Sequence, residues 1–193
     1  KKKHQHGTHM KRLLSHQAIF DMNQAFKRAI GEKLFTGRIS STFRYAMRTN
    51  LDTTDKEVSN MLDAFRPDDE YLKYVKELND IASKYKLPPI SNIKEFEDAV
   101  GRLPAEQNAE FTKLQTDLAD RYKEAIERQH DTDAELGAFM KEKVEIDIAM
   151  VPAELCPDIE GDSAIYIYDS LYPMFIPAKE SENISELVPY ESK

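Results

Sequence analysis

Apolar side chains recur at helical spacing through most of the chain. In residues 13–35 the apolar positions follow three- and four-residue steps: Ile19, Met22, Phe26, Ile30 and Leu34. This period places them on one face of a helix, the face that packs on a core. The same periodicity predicts further helices over 40–50, from Thr54 onward, and over 68–86, 92–102 and 104–130, with a last one after Asp133.

The pattern changes near residue 143. Across residues 144–148 (VEIDI), Val and Ile alternate with Glu and Asp, as in a strand with one buried face. Residues 165–168 (IYIY) predict a second short strand. The sequence therefore predicts a mainly α fold: an elongated helical bundle or hairpin with a small C-terminal β-ribbon.

Differences in composition divide the chain into four predicted segments. Residues 1–9 (KKKHQHGTH) are typical of an expression-tag remnant that takes no part in the fold. Residues 10–142 form the helical body, residues 143–176 a small β or irregular subdomain, and residues 177–193 a flexible acidic tail. The chain has no run of about 18 apolar residues, so we expect no contact with a membrane.

Charge is distributed unevenly along the chain. The formal net charge is −8, or −11 without the three lysines of the predicted tag. Residues 10–50 hold eight bases and two acids, and residues 51–193 hold sixteen bases and thirty-three acids. The basic segment either packs on the acidic remainder, is simply solvated, or contacts a charged partner. The candidates for such a contact are Lys27, Arg28, Arg38, Arg44 and Arg48.

Motifs for catalysis are missing from the sequence. It contains no glycine-rich phosphate loop and no G-x-S-x-G elbow. Cys156 lies between Glu154 and Asp158, which disfavours the thiolate that a nucleophile needs. The acids between Asp117 and Glu127 would allow a metal-dependent hydrolase, but the interleaved bases favour a salt-bridged helix face. We therefore predict a protein that is not an enzyme and needs no cofactor or metal.

Several segments in a fixed order carry a family resemblance. They are Ile39-Ser40-Ser41 with Tyr45-Ala46 and Asn50-Leu51, a Lys/Glu-rich helix ending in Tyr85, Asn108-x-x-Phe111, residues 136–140 (LGAFM), and Val144-Glu145-Ile146-Asp147-Ile148 with Val151-Pro152. In this order the chain resembles an uncharacterised family of small proteins encoded by tailed phages and prophages. The resemblance covers most of residues 10–176 and implies an accessory protein in the cytoplasm of a bacterial host. It implies no catalytic residues.

Two functional hypotheses follow. The first is a non-enzymatic, phage-encoded helical protein that docks on a phage or host protein, either in particle assembly or to modulate the host protein; an acidic body that imitates nucleic acid is one form of this. The alternative is a nucleic-acid-associated factor that uses the basic segment 10–50, where Phe43 and Tyr45 flank Arg44. The charge of residues 51–193 opposes the alternative. An elongated body also favours a homo-oligomer.

Overall fold

The computed structural model describes residues 8–176, which form two compact units. Unit 1 combines the chain up to Ala64 with the chain from Ala138, and unit 2 is Phe65–Gly137. This division differs from the predicted one, because residues 143–176 belong to the same unit as the N-terminal helices. The predicted acidic tail, 177–193, lies outside the described residues.

Helices account for most of the described chain. In chain order the elements are β1 (Thr8–Ser15), α1 (His16–Gly31), β2 (Phe35–Thr36), α2 (Ser41–Ala64), α3 (Asp69–Lys84), α4 (Ile93–Gly101), α5 (Ala105–Arg121), α6 (Lys123–Phe139), β3 (Lys143–Pro152), β4 (Asp158–Ile159), α7 (Ala164–Leu171) and β5 (Phe175–Ile176). Short 3₁₀ turns lie at Ala153–Leu155 and Tyr172–Met174. The prediction of a mainly helical fold with a small sheet is confirmed.

The larger sheet joins the two ends of the described chain. Its strand order is β1-β3-β5, with β1 antiparallel and β5 parallel to β3. The predicted strand over 144–148 is therefore confirmed, but it pairs with an N-terminal strand instead of forming a C-terminal ribbon. Thr8 and His9 are the first residues of β1, so the prediction that all of 1–9 lies outside the fold is wrong for these two. Residues 1–7 lie outside the described part.

The core of unit 1 lies between the sheet and three helices. α1 and α2 pack on the sheet and on each other, and α7 packs on α1. The largest fully buried side chains of this core include Ile19, Met22, Phe26, Phe43, Ile148, Met150, Ile167 and Leu171. The helices predicted over 40–50 and from Thr54 onward are one helix, α2, which runs unbroken through residues 50–54. Asn50 and Thr54 are buried there and have hydrogen-bond partners.

The second predicted strand, over 165–168, is wrong. These residues lie in α7, where Ile167 and Leu171 are buried four residues apart and Met174 follows at the next turn. That spacing belongs to a helix. The alternation of Ile and Tyr over four residues is too short to distinguish the two structures.

Unit 2 is built around an aromatic and aliphatic core on α3, α4 and α5. Its buried residues are Leu78, Ala82, Phe96, Phe111 and Leu118. The predicted helix over 68–86 is confirmed as α3, with Asp68 as its N-cap. The predicted helix over 104–130 is divided at Tyr122, whose hydroxyl donates to Glu77 Oε1 at 2.6 Å. α6 then continues through Asp133 without a break.

Candidate functional site

An open cavity of about 470 Å³ lies in unit 1 beside α7. One wall is the chain from Ala153 to Ile159, and the other is the first part of α7 from Ala164 to Asp169. We call this cavity the α7 groove. It is lined by both apolar and acidic side chains and opens to solvent, so a partner could enter it without rearrangement of the core.

Backbone pairing fixes the first wall of the groove. β4 pairs antiparallel with β2, placing Phe35 opposite Ile159. The Glu160 N–H donates to the Leu34 carbonyl at 3.0 Å, and Gly161 then turns the chain toward α7 with φ +95°. A left-handed residue at this turn favours glycine, since other side chains are strained there. These contacts anchor the wall directly after its acidic residue Asp158.

The second wall continues into an exposed apolar row on α7 and the 3₁₀ turn that follows it. Ile165, Tyr168 and Tyr172 are 78%, 41% and 59% exposed, and their spacing of three and four residues places them on one helix face. The Tyr168 ring also stacks on Phe175, with ring centroids 5.6 Å apart. Such a contiguous row beside an open cavity differs from the single exposed apolar residues that are normal on protein surfaces.

The rim of the groove is acidic. Glu154, Asp158 and Asp169 contribute to its lining, and none of the lining residues is basic. In the sequence, residues 144–176 contain seven acids and no Lys or Arg. Some other exposed acids of unit 1 have basic partners, for example Glu145 with Lys11 at 2.7 Å. Within the described residues, the three rim carboxylates form no ion pair and accept no hydrogen bond.

Cys156 contributes an uncharged thiol to the groove. Burial, and then the charge of Asp158, raise the pKa of the Cys156 thiol to about 11. Its sulfur lies 3.5 Å from the Pro157 carbonyl, to which the thiol donates. The protonated thiol is a poor nucleophile at neutral pH, so its role in this wall is to provide apolar surface.

Two of the five basic candidates are neutralised within unit 1. Lys27 Nζ lies 2.7 Å from Asp55 Oδ1, and Arg28 Nε lies 3.0 Å from Glu32 Oε1. The hydrogen bond from Lys27, and then that from Asn23, lower the pKa of Asp55. Asn23 also donates to Thr54 Oγ1 at 3.1 Å. Lys27 therefore belongs to a polar bridge between α1 and α2 that stabilises their packing.

The other three basic candidates are exposed and unpaired within residues 8–176. Arg44 and Arg48 lie four positions apart on one face of α2. Arg38 directly follows Gly37 in the sequence. Gly37 itself lies near the groove, because a Cβ placed on it would be 4.0 Å from Asp158 Oδ2. The structure thus brings Arg44 and Arg48 together and leaves Lys27 and Arg28 engaged elsewhere.

The carboxylates considered for a metal lie in unit 2. Bases of α5 and α6 pair with acids of α3: Arg121 with Glu77 at 3.1 Å, and Arg128 with Asp68 at 2.9 Å and Glu70 at 3.0 Å. No group of three or more His, Cys, Asp or Glu within residues 8–176 could hold a metal ion. These ion pairs connect α3 and its N-cap to α5 and α6 within unit 2.

Sequence reasoning missed the α7 groove. The absence of bases from residues 144–176 was a readable signal. The spacing of Ile165, Tyr168 and Tyr172 was a second signal, but assigning a strand to 165–168 concealed it. The groove also depends on the pairing of β2 with β4, which no local sequence pattern predicts.

No family model, curated protein or solved structure matches this chain. Within residues 8–176, no helix is both long enough and apolar enough to cross a bilayer. The resemblance to phage proteins therefore stays a prediction. The features available for assigning a function are the groove, the exposed row on α7 and the acidic rim.

Proposed function

We propose that this chain is a non-enzymatic interaction protein that docks on a protein partner through the α7 groove. The observation that carries the proposal is the exposed row Ile165, Tyr168 and Tyr172 directly beside the cavity. Tyrosine is enriched at protein interfaces because it combines large apolar area with a polar tip. An aromatic row beside a cavity supplies both the flat contact and the recess that an anchoring side chain needs.

The setting proposed for this docking is that of a phage accessory protein in the cytoplasm of a bacterial host. The partner is then a phage protein during particle assembly, or a host protein whose activity is modulated. Both roles use the same groove. An elongated shape and a homo-oligomer are separate predictions, which sedimentation velocity at several concentrations tests.

Site-specific crosslinking tests the docking proposal. A photo-crosslinking amino acid replaces Tyr172 in one variant and the exposed Ile93 of unit 2 in another, and crosslinked proteins are recovered from cells that express each variant. We expect a discrete adduct from position 172 alone. The captured protein is then purified and its Kd measured.

Matched substitutions then decide whether the groove is responsible. Ile165 and Ile93 are 78% and 68% exposed and both lie in the first turn of a helix. Ile165→Ser is expected to weaken binding of the purified partner by about tenfold or more, and Ile93→Ser to leave it unchanged. Equal effects of the two substitutions, or adducts from both positions alike, would contradict docking at the groove.

A second candidate function is supported by Arg44 and Arg48, the exposed pair on α2. Two arginines on one helix face form a small site for nucleic acid phosphates. Fluorescence anisotropy with a labelled single-stranded oligonucleotide at about 50 mM salt tests it. The double variant Arg44→Ala/Arg48→Ala should lose binding, whereas the charge-matched Lys73→Ala/Lys113→Ala in unit 2 should not. Absence of binding by the unaltered protein would rule this candidate out.

A further inference from the structure

We infer that the α7 groove accepts a positively charged peptide segment, with an apolar side chain as its anchor and Lys or Arg residues that meet the acidic rim. This inference rests on the proposed function and specifies the partner. Its two parts come from separate observations. The apolar row and the cavity indicate that the peptide has an apolar anchoring side chain, and the rim carboxylates indicate that it is positively charged.

The charge argument depends on three acids that both line the groove and lack an ion-pair partner within the described part of the chain. Glu145 pairs with Lys11, Asp55 with Lys27 and Glu32 with Arg28. By contrast, Glu154, Asp158 and Asp169 are exposed, and within residues 8–176 they have no ion pair. Because negative charges clustered around a recess make the local electrostatic potential more negative, the rim attracts cations and repels anions. The charge of a partner is thereby selected before contact.

The size of the groove limits what enters it. A volume of about 470 Å³ is in the range of pockets that hold small ligands, which is about 300–1,000 Å³. It therefore admits a few side chains of a peptide and not a folded domain. Tyr172, in the 3₁₀ turn after α7, is exposed and does not line the recess, so it provides contact area for the rest of the segment.

Other occupants have the wrong charge. The chain's own residues 177–193 contain four Glu and two Lys, so they have the same sign as the rim. A second copy docking groove to groove would bring three further carboxylates to the same place. Nucleic acid is a polyanion and is repelled. A basic peptide segment is the occupant that fits both the size of the recess and the negative charge of the rim.

The experiment uses two synthetic peptides of about 16 residues that share one apolar spacing, with Leu at i, i+3, i+4 and i+7. The remaining positions are Lys-rich in one peptide and Glu-rich in the other. Each carries a fluorophore, and anisotropy is measured with the full chain at about 50 and 300 mM salt. We expect the Lys-rich peptide to bind at least about tenfold more tightly at low salt, and this preference to shrink at high salt.

Neutralising the rim separates local from overall charge. The double variant Asp158→Asn/Asp169→Asn is expected to weaken binding of the Lys-rich peptide by about tenfold. The matched control Glu145→Gln/Asp147→Asn removes two acids that already face Lys11 and His9 and should have little effect. Equal weakening by both double variants would overturn the inference, because attraction would then follow net charge alone.

The outcomes distinguish failure of this inference from failure of the docking proposal. If both peptides bind alike and Ile165→Ser weakens both, the groove docks partners but the charge inference is overturned. If binding depends on charge but Ile165→Ser weakens peptide binding no more than Ile93→Ser does, the proposal that the groove is the docking site is overturned. If the Lys-rich peptide binds only after removal of 177–193, the tail is the occupant. If Ile165→Ser abolishes a dimer seen by sedimentation, the occupant is a second copy. Either of these last two results overturns the inference.

Discussion

The side-chain amide of Asn50 makes the two hydrogen bonds to Ala149 that a neighbouring strand would make. Asn50 Nδ2 donates to the Ala149 carbonyl at 2.9 Å, and Asn50 Oδ1 accepts from the Ala149 N–H at 2.8 Å. Both residues are fully buried. On this side of β3 the short strand β5 pairs only at Val151 and Pro152, so a helix side chain completes the hydrogen bonding where the strand enters the core.

Asn50→Ala is expected to lower the free energy of unfolding by about 3 kcal/mol, since each buried backbone group left without a partner costs about 1–3 kcal/mol. Urea unfolding followed by circular dichroism measures the change. Asn60→Ala is the matched control, because Asn60 is an exposed asparagine on the same helix. A loss below about 0.5 kcal/mol, the range of ordinary surface substitutions, would show that water replaces the amide.

Asp68 connects the start of α3 to α6, and its contribution depends on pH. The hydrogen bond from the Tyr71 N–H, and then that from Arg128, lower the pKa of Asp68. A lowered folded-state pKa gives stability that is present above the unfolded value and lost as pH falls through the folded value. At pH 7 we expect Tm to decrease from wild type to Asp68→Ser, which keeps the cap, and further to Asp68→Ala. The difference between wild type and Asp68→Ser should disappear at a pH below the folded-state pKa of Asp68. Asp68→Ala should stay lower, because alanine provides no cap at any pH. Asp117→Ser on α5 serves as the control.

Tyr122 provides a readout of the contact between α3 and the α5–α6 break. The hydrogen bond to the Glu77 carboxylate, followed by burial, raises the pKa of Tyr122. Because the folded state favours the neutral phenol, this stability is complete below the unfolded pKa of about 10 and is lost as pH rises through the folded value. Glu77→Gln should lower the Tyr122 pKa in an NMR titration of labelled tyrosines. Asp80→Asn, also on α3, is the control and should leave the Tyr122 pKa unchanged. If Glu77→Gln also left the Tyr122 pKa unchanged, the contact between Tyr122 and Glu77 would be contradicted.

The Cys156 thiol should react slowly with a disulfide reagent. With a pKa of about 11 in place of about 8.5, thiolate at pH 8 is scarcer by a factor of about 10². We expect the folded protein to react at least that much more slowly than the same chain in urea. Asp158→Asn should increase the rate modestly, since burial is the larger cause. Similar folded and unfolded rates would show that the thiol is neither buried nor shifted.

Local signals were sufficient for some elements and insufficient for others. α3 was predictable because its N-cap Asp68 and its apolar stripe are contiguous in sequence. β1 was not predictable, since Arg12 occupies a half-buried position that breaks the apolar alternation. Its partner strand also begins 128 residues after Ser15. At the break between α5 and α6, Tyr122 contacts Glu77, which lies 45 residues away in the sequence.

The candidate site was only partly predictable for the same reason. The acidic composition around Asp158 and the exposed arginines were visible in the sequence. Which acids and bases neutralise each other was not, because Lys27 meets Asp55 only when α1 packs on α2. The groove depends on α7 being a helix, and a run of four apolar residues does not decide between helix and strand.

The pairing of β1 with β3 imposes an order of events during synthesis. Residues 65–137 are contiguous and can pack as they leave the ribosome, whereas β1 waits without a partner until Lys143–Met150 emerges. An unpaired strand at that stage can pair with the same strand of another nascent chain and seed aggregates. Lys11 and Arg12 lie in the middle of β1, so two such strands repel each other, and the two cations protect the newly made chain until its own β3 arrives.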